Sequence, residues 1–253
     1  MKEILDTGIS IQNVTSGLGA NMASAGFASL QYGANMKDVA EATSSIISKM
    51  GSIEHATKEN IKGAIKLMKY YGMSSDSAAE ITHQFGQIGK MTGQTNEQLR
   101  TSVVEMANLG KVAPTKVFQD LADNSESVAK WTDKSGKNMM RLSVASNQLG
   151  LSMSDTLGIT EGLLDFSTSI EKQMQASVMT GKSFNFEQAR MLAFAGKHEE
   201  ALASVVSQLG TEAEYMDMNG YQRQAMADML GVSISKLKDM IVNQKKLGEE
   251  TGF

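Results

Sequence analysis

The 253-residue chain has no cysteine, a single proline and only 6% aromatic residues. Without cysteine there is no disulfide, no thiolate metal site and no cysteine nucleophile. With Pro114 alone, almost nothing breaks a helix from within. A basic surplus is missing too: 24 basic residues face 28 acidic ones, for a net charge of −4. The strongly basic face of a nucleic-acid binder is therefore not announced. Residues 7–36 carry no charge, but Gln12, Asn13, Thr15, Ser16, Asn21, Ser24, Ser29 and Gln31 interrupt them. A membrane span needs ~20 predominantly apolar residues, so this segment does not qualify. Lys2, Glu3 and Asp6 do not form the basic start of a signal peptide. No stretch shows the two-residue alternation of a strand.

What is present favours helices. Hydrophobic residues make up 41% of the chain, with 19 Met and 23 Gly. Methionine fills irregular gaps between helices without β-branching. One grammar recurs: an amphipathic stretch ends in Gly, an apolar residue follows, and Ser opens the next helix. Tyr71-Gly72-Met73-Ser74, Leu149-Gly150-Leu151-Ser152 and Leu230-Gly231-Val232-Ser233 follow it. Glycine takes the left-handed position after the helix, the apolar residue folds back, and the hydroxyl caps the next helix. Capping-box spacings at Thr95/Gln98, Asn185/Gln188 and Thr211/Glu214 mark further starts. Pro114 suits the first turn of a helix running to about Lys130.

The expected fold class is all-α, a multi-helix array of roughly ten helices joined by Gly/Ser turns around one long helix. Residues 1–35 are a small-residue-rich N-terminal arm, either packing closely through its glycines and alanines or loosely ordered because of them. Two helical regions follow, 36–150 and 151–253, divided near Leu151. The long helix is expected over about 154–180. Its stripe of Leu157, Leu163, Leu164, Phe166, Ile170, Met174 and Val178 should be the spine against which shorter helices pack. Leu163, Phe166, Ile170, Met174 and Val178 are the candidate interaction residues.

Two motifs resemble functional sites. Ala176 to Ser183 fits a relaxed phosphate-loop pattern, yet that loop requires a strand before it and a helix after it. Here a helix runs into Gly181, and a simple helix end fits every residue. Residues 227–246 have the spacing of a DNA-binding helix-turn-helix, whose second helix would carry Ser235, Lys236, Lys238, Asp239, Asn243, Lys245 and Lys246. Against that reading, the same turn occurs at Gly72 and Gly150, and the second helix has no arginine, the commonest reader of guanine. His55, His83 and His198 are far apart, lie in no metal-binding or general-base spacing, and read as surface residues. Trp131 reads as core or half-core. No Gly-x-Ser-x-Gly element is present, and Asp165 with Glu171 is a carboxylate pair without a pocket. The expectation is a protein that is not an enzyme, with no cofactor, no metal and no catalytic residue.

The chain from about Gly150 onward resembles the tail tape-measure proteins of long-tailed phages. The residues that carry the resemblance are Leu163 to Lys172, Ala176-Ser177, Asn185 to Arg190, Leu192-Ala193, Ala195-Gly196, Gly210 to Tyr215, Met218-Asn219 and Gln222-Arg223 before Ala227. Val112-Ala113-Pro114 and Gly136-Lys137-Asn138 are similar more faintly. The resemblance implies a virion structural protein in the tail lumen, assembled in the host bacterial cytoplasm. Such a protein sets tail-tube length and is released before genome ejection. Its implied partners are copies of itself, the tail tube and baseplate hub proteins, with no small-molecule substrate and no specific nucleic-acid binding. It also implies that 253 residues are a piece of something longer. The alternatives are the helix-turn-helix DNA-binding protein and a cytosolic helical adaptor with a peptide groove.

Overall fold

A computed structural model describes the backbone of residues 2–250 and the side chains of residues 16–245 and 247. The side chains of Lys2, Glu3, Asp6, Gln12, Asn13, Thr15, Lys246, Glu249 and Glu250, the packing of Gly8 and the chain end at 251–253 lie outside the described residues. The described chain is all-helical. In order the helices are α1 (Lys2–Ser29), α2 (Met36–Met50), α3 (Lys58–Tyr71), α4 (Ser75–Thr92), α5 (Asn96–Leu109), α6 (Pro114–Asp123), α7 (Ser125–Trp131) and α8 (Asn138–Gln148). They continue as α9 (Met153–Gly162), α10 (Phe166–Thr180), α11 (Glu187–Phe194), α12 (His198–Val206), α13 (Glu212–Asp217), α14 (Gly220–Leu230) and α15 (Ile234–Glu250).

The three Gly-apolar-Ser corners form as their chemistry dictates. Gly72, Gly150 and Gly231 adopt φ of 64°, 82° and 69°. Met73, Leu151 and Val232 each donate an amide back to Leu67, Ser146 and Ala227. Ser74, Ser152 and Ser233 accept from the amides of Ser77, Asp155 and Lys236. Each corner thereby satisfies carbonyls of one helix and amides of the next with a link of three or four residues. The boxes at Thr95/Gln98 and Thr211/Glu214 are reciprocal. The third spacing is used differently: Asn185 accepts from Glu187, and its own amide donates to Gln208.

Two helices are shorter than the sequence led us to expect. The helix that opens at Pro114 stops at Asp123, because Asn124 leaves helical geometry at φ −112°, ψ 36°. Its side-chain amide then caps the Asp120 carbonyl. The long helix over 154–180 is two helices. α9 ends at Gly162, and Asp165 starts α10 by accepting from the Thr168 amide at 3.4 Å. An apolar stripe that runs on through Leu163 and Leu164 hides this break from periodicity alone.

The helices gather into two compact units, Met1–Ser102 with Ser125–Ala129, and Val103–Asn124 with Lys130–Phe253. In the first, α1 packs on α2 and α3, and α2 on α4. Ala25 and Ser29 of α1 are fully buried, and a side chain on Gly26 would meet Met36 and Val39 at 3.5 Å. Ala25, Gly26 and Ser29 thus serve close packing within the unit, whereas Gly17, Gly19, Ala20 and Ala23 are exposed. The second unit's core runs through Leu149, Leu151, Leu163, Phe186, Leu202, Val205, Met226, Leu237 and Met240. Leu151, where the sequence was divided, sits inside this core.

Candidate interaction face

α10 is amphipathic in the reverse sense. Ser169 and Ala176 are buried and Gln173 and Thr180 half-buried, so its inward face is small or polar. Phe166, Ile170, Met174 and Val178 point outward at 55%, 43%, 63% and 83% exposure. Their spacing of four makes one continuous ridge along the helix. Surface helices ordinarily bury such a stripe. With Met179 beside it, the ridge exposes roughly 400–500 Å² of apolar side chain, within the ~300–600 Å² of the largest patch on a typical monomer. Leu163, the fifth candidate, does not belong to the ridge. It lies in the break before α10 and is 2% exposed in the core.

Polar pins hold α10 in this orientation. Arg190 of α11 donates through Nη2 to Ser169 and Gln173, each at 2.9 Å. Gln173 in turn donates to the Phe184 carbonyl at 2.7 Å, and Gln222 of α14 donates to Met179 at 3.2 Å. α14 packs along α10. Arg190 is 8% exposed, and the side chains it reaches are neutral. Burial pushes its guanidinium below the ordinary value, with Glu187 pulling the other way. The same geometry disposes of the phosphate-loop pattern. Gly181 is the left-handed cap of α10, and Lys182 is held by Glu214 at 2.8 Å.

The helix-turn-helix region has also spent its polar side chains internally. Lys236 pairs with Asp155 at 2.6 Å, Asn243 donates to the Leu149 carbonyl and Gln244 to that of Gly210. Ser235, Lys238, Asp239 and Lys245 remain exposed, too mixed in charge to track a phosphate backbone.

His198, which the sequence presented as a surface residue, is 2% exposed. Its ring meets Trp131 edge-on at 4.6 Å, and Nδ1 lies 2.8 Å from the Thr160 hydroxyl. That hydroxyl also lies 3.0 Å from the Thr156 carbonyl. Burial lowers the His198 pKa, with Glu161 opposing and Lys130 assisting. Beside this pair is a cavity of about 590 Å³. Among its charged side chains Arg141 pairs with Glu199, Lys130 with Glu161 and Lys197 with Glu200, while Asp133 accepts from the amides of Ser135 and Gly136. Residues 131, 160 and 198 are too far apart in sequence for any local motif to have shown this cluster. Among the described residues no three His, Asp or Glu side chains converge as a metal site, and no helix is long and apolar enough to cross a membrane.

The fold and this face define a class: an all-helical protein whose most distinctive surface is an outward apolar helix ridge. Comparison with models of protein families, with curated proteins and with solved structures finds no match in any of the three.

Proposed function

We propose that this chain is an assembly protein, a helical segment of a phage tail tape-measure protein. The observation that carries the reading is the outward ridge of Phe166, Ile170, Met174 and Val178. It lies in the stretch whose residues resemble that family, and the largest apolar patch on a protein surface is often functional. In this role the chain lies in the tail lumen, contacts further copies, the tube and the baseplate hub, and leaves before the genome. Its length contributes to the length of the tube. The methionine-rich interior of the second unit supports the reading, since flexible thioethers tolerate repacking better than branched side chains.

Gradient fractionation of the native source, with mass spectrometry of the tryptic peptides Met191–Lys197 and Gln224–Lys236, tests it. The expected result is co-sedimentation with tail-like particles, alongside further peptides of one longer chain. Peptides confined to the light soluble fraction, from a chain of this size, would overturn it.

A further inference from the structure

The ridge has a counterpart in the same unit. α8, α11, α12 and α15 border an open groove of about 710 Å³, lined by Leu192, Leu202, Val206 and Leu247, with Ala203 exposed in its wall. Gln188, Glu199, Glu200, Gln244 and Lys245 supply its polar and charged lining. Groove and ridge are served by opposite faces of α11. Arg190 reaches α10, whereas Gln188 and Leu192, each about 160° away around the helix, line the groove. A copy therefore cannot lay its own ridge in its own groove while Arg190 pins α10, but a second copy can.

We infer that the α10 ridge of one copy docks in the groove between α11, α12 and α15 of another. The ridge is ~18 Å long, and its four side chains are convex and apolar where the groove is concave and apolar. Glu171, exposed on the solvent side of the ridge, complements Lys245, exposed in the groove's lining, whose two carboxylates, Glu199 and Glu200, are already paired with Arg141 and Lys197. Ser167 and Gln175 on the same flank supply a polar rim. Ridge and groove are different surfaces, so the contact is heterologous. It leaves a free ridge at one end and a free groove at the other, and it propagates into chains or closes into rings. This names the partner of the ridge and rests on the assembly reading above.

The absence of cysteine makes the test direct. Chains carrying Met174→Cys and Ala203→Cys, both at exposed positions, are mixed under mild oxidation while light scattering follows mass against concentration. The expected result is a 174–203 disulfide between copies and concentration-dependent oligomers. Glu171→Lys should weaken association roughly 2–5-fold, with Lys245→Glu restoring it. Met174→Asp should weaken it at least about tenfold. Disulfides only between two copies of Met174→Cys, or a monomer up to ~100 μM (a Kd weaker than that of most specific complexes), overturn the pairing. Monomers that still sediment with tail particles overturn this pairing and leave the tail reading standing. Oligomers confined to the light fraction overturn the tail reading and leave the pairing.

Discussion

The two units solve the same packing problem with different materials. The first fills its interior with Val39, Ile46, Ile61, Ile65, Ile81, Phe85 and Ile88, and Met73 is its one buried methionine among the described residues. The second buries Met139, Met140, Met153, Met218, Met226, Met229 and Met240. Their buried arginines differ in the same sense. Arg100 of the first unit is 7% exposed and donates to Glu97 at 2.9 and 3.3 Å. Arg190 of the second reaches only a hydroxyl and an amide. A stiff core with a paired cation specifies one arrangement. A methionine core with a cation held by neutral groups fixes α10 less firmly, and α10 is the helix that exposes the ridge.

The largest effect should come from crowding the stiff unit. A side chain at Gly63 would meet the Arg100 guanidinium at 2.5–2.8 Å, and that group is enclosed and ion-paired. Gly63→Leu should cost about 2–3 kcal/mol in urea unfolding. Loss of less than about 0.5 kcal/mol would show that Arg100 is not tightly held. The arginines themselves should respond with opposite signs. Arg100→Met removes a partner of Glu97 and should cost about 2 kcal/mol, while Arg190→Met removes a buried charge that neutral groups and a more distant Glu187 offset only in part, and should be neutral or stabilise by about 1 kcal/mol. Equal losses in both would erase the contrast.

Acid should separate the units next. Lys66 and Arg100 hold Glu97 down to about 2 from an ordinary 4.5, against the opposing effect of burial. A depressed carboxylate stabilises above its unfolded pKa, so this contribution is complete above pH 4.5 and lost as pH falls toward 2. Because Glu97 is half exposed, solvent screening reduces it to about 1–2 kcal/mol, and Glu97→Gln should flatten the slope. His198 acts earlier. Its folded pKa lies below the ordinary 6.5, so the unfolded chain takes up protons first and the second unit loses stability as pH drops below 6.5. His198→Gln should abolish that first loss, seen as pH-dependent melting between 6.5 and 5. The smallest effect belongs to the methionines. Met140→Leu with Met226→Leu should raise the melting midpoint by a few degrees (about 1 kcal/mol), because a Leu core is better specified. An unchanged or lower midpoint would count against a deliberately soft core.

The sequence made the helical class and the three corners legible because their causes are local: a left-handed glycine, an apolar back-bond and a hydroxyl cap lie within a few residues. It also picked out Phe166, Ile170, Met174 and Val178 as one stripe and as candidate interaction residues, but read the stripe as a spine that shorter helices of the same chain would cover. Periodicity reports that residues share a face, not which way the face turns. The orientation is set by Arg190, whose partners Ser169 and Gln173 are 21 and 17 residues away. The break at Asp165 was missed because an N-capping aspartate resembles any polar residue on the dry edge of a longer helix. The Trp131–His198 pair was invisible for the same reason of distance.

The corners also bear on time. Each closes through hydrogen bonds between residues six or fewer positions apart, and such local structure forms in microseconds to milliseconds. Gly72, Gly150 and Gly231 lie about 80 residues apart, a stretch that takes roughly 4–16 s to synthesise at 5–20 residues per second. Every corner can thus be set long before the next is made. The α10 ridge, by contrast, emerges before α11, whose Arg190 fixes its orientation, so that orientation is set only after Arg190 has followed.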